Sequence, residues 1–314
     1  MAMTVQGTPL EEMLVKARSL LKWAKGLGVP VGRGNWLEIS IGKMEKILAE
    51  PSMTKRRKLA QKFYNELVDS QHNVSDLSHI IFVYEHIGAQ DKEILKDKLT
   101  KALGGAQNIR GELATNTQPR DTLFELSVCA RFNSMGFFAL LCEPNPDVMA
   151  YRRKVHVSIE CKRVFTNKSI DAQLGEANKQ LSEREASQKA DLRVICIDIT
   201  RAFTGGTGHL QGERQEVIDE LVLILQKEGS RIMELMDIKK MYAVDAIVLY
   251  FQDYIEPTGQ DVYSIAAITQ SLVVINPLHK RSRRKKAVSV LKRLDPKGEI
   301  GLTTKIVSPP RKNK

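Results

Sequence analysis

The stretch PDVMAYRRKVHVSIECK, residues 146–162, carries the most informative structural pattern of this chain. Its second half alternates in polarity: Val155, Val157, Ile159 and Cys161 are apolar, whereas His156, Ser158, Glu160 and Lys162 are polar. Successive side chains of a strand point to opposite faces, so Glu160 and Lys162 share one face at a separation of about 7 Å. The pattern predicts a β-strand whose polar face carries a carboxylate and an ammonium group.

A second carboxylate, Asp147, follows Pro146 at the start of the same stretch. Two carboxylates can hold a divalent metal ion through oxygen ligands, and a nearby lysine can orient a water or balance charge on a phosphate. The arrangement therefore points to phosphodiester hydrolysis. Two simpler interpretations stay open: Asp147 initiates a turn, and Glu160 and Lys162 form a solvent-facing charge pair.

Pro146-Asp147 followed by Glu160-Cys161-Lys162 resembles the signature of the PD-(D/E)XK nuclease superfamily, over roughly residues 120–200. The resemblance implies an α/β fold, with a restriction-endonuclease-like mixed β-sheet flanked by helices. It also implies a helix that carries a glutamate before the first core strand. Residues 121–132 are predicted to form that helix, with Asp121 as N-cap and Gly136 as the C-terminal stop. A strand over 137–141 then precedes Asp147.

Glu125 is the glutamate of the predicted helix. Its helical neighbours Val128, Cys129 and Phe132 are apolar, and no basic residue lies three or four positions away. A carboxylate buried in an apolar stripe needs a metal ion or a buried partner. The alternative is an ordinary solvated glutamate on a helix surface.

The resemblance assigns roles to six residues: Glu125, Asp147 and Glu160 as ligands of one or two Mg²⁺ ions, the backbone carbonyl of Cys161 as a further ligand, Lys162 as the group that orients the attacking water, and Gln180 as a polar residue of the following helix that faces the site. Mn²⁺ is expected to replace Mg²⁺. For Gln180, a solvated surface position is an equally good interpretation.

The function implied by this resemblance is a Mg²⁺-dependent nuclease, with DNA favoured over RNA as substrate and endonuclease action expected. One alternative is a non-catalytic nucleic-acid-binding or assembly protein on the same fold. Another is a helical interaction protein whose basic end steers it to anionic partners. Restriction or phage defence, repair and viral genome handling are all open as settings.

Composition is that of a soluble globular protein, with 314 residues, 42% hydrophobic and 27% charged. No apolar run is long enough to span a membrane, so no membrane association is expected. The four cysteines form no Cys-X-X-Cys pair, which argues against a zinc ribbon and favours reduced thiols in the cytoplasm.

The net charge of +11 is concentrated in residues 279–314, which contain 13 Lys and Arg against 2 Asp and Glu. The densest run is residues 280–286. A basic arm that binds nucleic-acid phosphates is the first interpretation. A nuclear-localisation signal, in a eukaryotic host, and a solvated disordered tail are the alternatives.

The chain is predicted to comprise a helical domain over 1–110, a nuclease-like domain over 111–278 and the basic tail over 279–314. Helices are predicted over 10–27, 37–49, 52–68, 77–87 and 92–103, and a Gly/Asn/Thr/Pro-rich stretch over 104–119 marks the boundary. A homodimer or a partner protein is expected to use the N-terminal helices. Beyond the motif, strands are predicted over 193–200, 244–252 and 262–275, with a helix over 214–236.

Overall fold

The computed structural model describes residues 8–32, 34–69, 73–104, 117–143, 146–183, 189–204, 214–255, 264–294 and 302–307. The N-terminal part is helical, as predicted: after a short strand β1 (Thr8–Pro9) come α1 (Leu10–Gly26), α2 (Trp36–Ala49), α3 (Met53–Asp69), α4 (Asn73–His86) and α5 (Lys92–Leu103).

The second part alternates strands and helices: α6 (Gln118–Ser134), β2 (Phe138–Leu141), β3 (Val148–Arg152), β4 (Val155–Arg163), α7 (Ile170–Glu183), β5 (Leu192–Asp198), α8 (Thr200–Phe203), α9 (Arg214–Ile238), β6 (Ala246–Ile255), β7 (Ser264–Ile275), α10 (Arg281–Leu291) and β8 (Leu302–Val307). Short 3-10 turns cover Asn167–Ser169 and Lys292–Leu294.

The strands form one mixed sheet whose body has the order β7-β6-β5-β4-β3-β2, with β1 and β8 both paired to β7. The meander β2-β3-β4 is antiparallel, whereas β4, β5 and β6 run parallel to one another. The connection through α7 joins two adjacent parallel strands, as a crossover helix does. The predicted α/β class, a mixed sheet flanked by helices, is confirmed.

Helices cover both faces of the sheet. On one face, helices α1, α2, α4, α5 and α6 share a single apolar core with alternate residues of the strands, among them Ile159 and Val194. On the other face, α7 and α9 pack on residues such as Ile195 and Leu249. The predicted boundary at residue 110 lies outside the described residues, and the helices on its two sides contribute to the same core.

Helix α6 begins three residues earlier than the sequence predicts. Its N-cap position is Thr117, and Asp121 lies within the first turn, so the prediction of Asp121 as N-cap is wrong. The prediction for the other end is confirmed: Gly136 has φ +76°, a left-handed conformation that glycine adopts without strain. That turn leads the chain directly into β2.

Side chains protect the outer edge of β2, the last strand of the sheet. Gln90 Nε2 donates to the carbonyl of Ala139 at 2.8 Å, and the amide of Leu141 donates to Gln90 Oε1 at 2.8 Å. Asn133 Oδ1 accepts from the amide of Ala139 at 2.8 Å. These amide side chains satisfy backbone groups that would otherwise template pairing with another strand.

The predicted basic tail requires correction for its described residues. Residues 281–291 form α10, whose Ala287 and Leu291 are buried in the main core, and residues 302–307 pair with β7. Two cations of the run are bound to acids: Arg283 to Asp245, and Lys286 to Asp191. The run is helical because the apolar residues that follow it, Ala287 and Leu291, fit the core. A count of charges does not reveal this property.

We expect Arg283→Met to lower the free energy of unfolding by about 2 kcal/mol. The substitution removes the cation bound to the carboxylate of Asp245, which is only 1% exposed. The value is below that of a fully buried pair because Arg283 is partly exposed. Urea denaturation would measure the loss. The matched control is Arg281→Met, an exposed neighbour on α10, and equal stability of the two variants would contradict the prediction.

Within the described segments, no helix is both long enough and apolar enough to cross a lipid bilayer. All four cysteines are free thiols, in agreement with the sequence-based expectation.

Candidate active site

A cleft of about 290 Å³ opens where α6, the loop before β3, β4 and α7 meet. Its lining includes the six residues to which the resemblance assigns roles. The full lining is Thr117, Asp121, Phe124, Glu125, Asp147, Glu160, Cys161, Lys162, Arg163, Phe165, Gln173 and Gln180. Residues separated by up to 63 positions in the chain are thus brought to one site.

Glu160 is the most deeply buried carboxylate of the cleft. It is 1% exposed, although it lies on the polar face of β4 with Ser158 and Lys162. This burial rules out the alternative of a solvent-facing charge pair. A carboxylate this far from bulk water is retained only where partners or a bound cation compensate its lost hydration.

Asp147 reaches the same place from the segment that leads into β3. Its Oδ2 accepts a hydrogen bond from the backbone amide of Cys161 at 2.7 Å, and its own carbonyl accepts from the amide of Cys142 at 3.1 Å. These bonds attach Asp147 to β4 beside Glu160. The conformation of Asp147 is therefore set by the neighbouring strand and by the turn before it.

Glu125 has a buried basic partner that the sequence did not suggest. Lys98 Nζ, from α5, lies 2.6 Å from Glu125 Oε2, and its side chain is only 9% exposed. Glu143 lies farther from the same ammonium group, at 3.7 Å. Lys98 thus brings a positive charge from the N-terminal helices into the rear of the cleft.

The electrostatics of the cleft are dominated by an excess of carboxylates. Burial and the negative charge of Asp147 raise the pKa of Glu125 to about 7, even though Lys98 acts in the opposite direction. Burial lowers the pKa of Lys98, but Glu125, Asp147 and Glu143 together outweigh burial, so the pKa of Lys98 is raised overall. One lysine therefore does not fully neutralise the acids that surround it.

Glu125→Gln is expected to change how stability depends on pH. The pKa of Glu125 rises from 4.5 to about 7 on folding, so its contribution to stability is complete below pH 4.5 and is lost as the pH rises through 7. Without metal, the stability of Glu125→Gln relative to the wild type should therefore rise by up to about 3 kcal/mol between pH 4.5 and pH 8. Urea denaturation in EDTA across this range would measure the difference.

The matched control for this prediction is Glu93→Gln, an exposed glutamate of α5. If the Glu125→Gln and wild-type stability curves run parallel from pH 4.5 to pH 8, the charge of Glu125 does not oppose folding.

Lys162 and Gln180 meet across the cleft through a shared acid. Glu176 Oε1, on α7, lies 3.5 Å from Lys162 Nζ and accepts from Gln180 Nε2 at 3.2 Å. Gln180 Oε1 is buried and has no hydrogen-bond partner among the described residues. Gln180 thus lines the cleft and is partly buried, rather than a fully solvated surface residue.

Arg163 forms ion pairs with two acids at the mouth of the cleft. Its Nε lies 3.2 Å from Asp198 Oδ2 and its Nη1 lies 3.3 Å from Asp121 Oδ1, so it joins the end of β5 to the start of α6. Thr117 Oγ1 donates to the other oxygen of Asp121 at 2.5 Å. These contacts hold α6, and with it Glu125, in position relative to the sheet.

The donor chemistry of the cleft fits a hard divalent cation. Glu125, Asp147 and Glu160 offer carboxylate oxygens, the ligand type that Mg²⁺ prefers, and the orphaned Gln180 Oε1 adds a polar acceptor nearby. As the side chains stand, Lys98 and the Cys161 amide each take one carboxylate oxygen, and no three His, Cys, Asp or Glu of the described residues are grouped as ligands.

The sequence did not predict that Lys98, Gln173 and Glu176 lie at the site, or that Arg163 pairs with Asp121 and Asp198. One signal for Lys98 was present: its neighbours Leu95, Leu99 and Ala102 are apolar and form the buried stripe of α5. A lysine on such a stripe needs a buried acid, just as Glu125 needs a cation. Which acid it meets depends on how α5 packs against α6.

No protein-family model, curated protein or solved structure matches this chain.

Proposed function

We propose that this chain is a metal-dependent nuclease of the PD-(D/E)XK type that hydrolyses phosphodiester bonds of nucleic acid, DNA more readily than RNA. One observation carries the proposal: Glu125, Asp147, Glu160 and Lys162 come from three separate segments and line a single cleft. Three carboxylates and a lysine in one cleft match the chemistry that such hydrolysis requires.

The order of elements supports the same proposal. A helix with a glutamate precedes an antiparallel three-stranded meander, and a crossover helix leads to a parallel neighbour of the third strand. This is the order that the resemblance to restriction-endonuclease-like proteins implies. The Asp lies at the start of the second strand of the meander, and the Glu-X-Lys triplet lies on the third.

The carboxylates of Glu125, Asp147 and Glu160, with the Cys161 carbonyl, would hold Mg²⁺ in this proposal. The bound ion would lower the pKa of a water and stabilise negative charge on the phosphate. The buried position of Glu160 keeps its carboxylate dehydrated, which strengthens its attraction for a cation.

Lys162 supplies the positive charge on the β4 side of the proposed site. Its only described partner in an ion pair is the exposed Glu176 at 3.5 Å, a weak contact that a phosphate oxygen would replace. The ammonium group would then hold the attacking water or a non-bridging phosphate oxygen. Gln180, which donates to the same acid, would orient either group.

The proposal is tested by incubating the full chain with end-labelled single- and double-stranded DNA and RNA, in Mg²⁺, Mn²⁺ or EDTA. We expect cleavage with either metal and none in EDTA. Glu160→Gln should abolish cleavage, whereas Asp237→Asn, at an exposed acid of α9, should not. Binding without cleavage in any metal would favour the non-catalytic alternative instead.

A further inference from the structure

Three aromatic rings form a row across the edge of the sheet. Phe138, Tyr151 and His156 occupy paired positions on β2, β3 and β4, so their side chains share one face. Ring centroids lie 6.5 Å apart for Phe138 and Tyr151, and 5.0 Å apart for Tyr151 and His156. Phe138 is 54% exposed and His156 is also exposed, so the row is open to solvent.

The row lies on the same face of the sheet as the polar residues of the candidate active site. His156 and Glu160 are four residues apart on β4, which places them on one face at about 13 Å. Helix α7 packs on this face farther along, over β4 and β5. A ligand lying on the row would therefore occupy the face of the sheet that carries Glu160, with the buried Ser158 between the two positions.

Positive charge flanks the row. Three consecutive cations lie at the β3–β4 hairpin: Arg152 ends β3, and Arg153 and Lys154 form the turn and are exposed. Asp191, an acid beside the row, is bonded to Lys286 and to the backbone amide of His156. The aromatic row is thus bordered by cations, while its neighbouring acid is already neutralised.

We infer that this surface, the aromatic row with its basic turn, binds unpaired nucleotides of a single strand on their way to the cleft. Every base has a π-face that stacks on an aromatic ring, and cations beside such rings contact the phosphates. A duplex buries its base faces internally and offers nothing to the rings. The inference rests on the proposed nuclease function and specifies its substrate as single-stranded or frayed nucleic acid.

Binding in EDTA tests the inference separately from cleavage. The probes are fluorescent 25-mers of deoxythymidine and of uridine, which lack internal pairing, and a DNA duplex of equal length. We expect Phe138→Ala and Tyr151→Ala each to weaken binding of the single strands on the order of 10-fold. Phe138→Trp should restore binding, because it keeps a ring at that position. Duplex binding should be unchanged by all three substitutions.

Cross-strand aromatic pairs also stabilise a sheet, so each variant is checked by thermal unfolding. The matched control is Tyr242→Ala, at an aromatic residue with a similar exposure of 58% that lies near the start of β6. It should bind as the wild type does. The double variant Arg153→Gln/Lys154→Gln should reduce the log–log salt dependence of single-strand binding by about 1.4, for two phosphate contacts.

The inference would be overturned if Phe138→Ala and Tyr151→Ala fold normally and still bind single strands as well as the wild type does. Cleavage of a duplex by a chain that does not bind single strands would overturn it as well, and would leave the nuclease proposal intact. Conversely, binding that depends on the rings, without cleavage in any metal, would support the proposed binding surface and contradict the proposed nuclease activity. A preference between the thymidine and uridine probes would identify the strand as DNA or RNA.

Discussion

Replacing Lys162 with alanine should reduce cleavage on the order of 100-fold or more, with little change in stability. The expected loss follows from the removal of the cation that orients water or balances phosphate charge within a partly dehydrated cleft. Stability should change by less than about 1 kcal/mol, because the only described ion pair of Lys162 is with the exposed Glu176. Single-turnover cleavage in Mg²⁺ and urea denaturation would measure the two effects.

The matched control for this substitution is Lys168→Ala, at an exposed lysine just beyond β4. Mn²⁺ affinity, measured by calorimetry, should be retained by Lys162→Ala, since Lys162 is not proposed as a ligand. Cleavage by Lys162→Ala within a few-fold of the wild-type rate would remove this residue from the mechanism.

Replacing Lys98 with methionine should produce the largest stability loss. The substitution leaves the buried Glu125 without its partner at 2.6 Å, next to Asp147. Breaking a buried ion pair from one side costs about 3–5 kcal/mol, and we expect a loss of that order at pH 8 in EDTA. At pH 5 the loss should be smaller, because a carboxyl group with a pKa of about 7 is then protonated.

Removing both charges gives a sharper comparison. The double variant Lys98→Met/Glu125→Leu should recover most of the stability, because apolar groups of similar volume replace a buried pair at little cost. The control is Lys101→Met, at a more exposed lysine one turn further along α5. If Lys98→Met and Lys101→Met are equally stable, Lys98 does not neutralise the cleft.

Lys98→Met should also bind Mn²⁺ more tightly than the wild type. In the structure, Lys98 holds one oxygen of Glu125, so a divalent ion must compete with its ammonium group. Calorimetric titration would detect the gain, and Mn²⁺ should raise the melting temperature of the variant more than that of the wild type. Weaker Mn²⁺ binding by Lys98→Met would show that the lysine supports the metal site.

A truncation after Leu278, which would remove the basic residues 279–314, would not be a clean test of nucleic-acid binding. It would remove α10, whose Leu291 is buried, together with the ion pair from Arg283 to Asp245. Asp191, which binds Lys286 of α10, lies at the opposite end of β5 from Asp198 at the cleft, about 20 Å away. Neutralising the exposed Arg281 and Lys285 together would test the solvent-facing charge of α10 without unfolding the core.

Local patterns in the sequence were enough to predict most helices and strands and to place Asp147, Glu160 and Lys162 close together. Strand β4 was predictable because its side chains alternate strictly in polarity, and α5 because its capping Asp91 and terminal Gly104 bound an apolar stripe. The spacing of Asp147 and Glu160 also predicted that their side chains lie close together. An antiparallel hairpin between β3 and β4 places those two positions side by side, whatever the rest of the chain does.

Tertiary structure alone decided which residues complete the site. Lys98 and Glu125 are 27 positions apart, on helices whose relative placement depends on the whole apolar core. Likewise, the basic run became α10 because Ala287 and Leu291 had an apolar surface to cover. Periodicity reports which face of a segment is buried, but the partner of a buried charge depends on long-range packing, which no local pattern encodes.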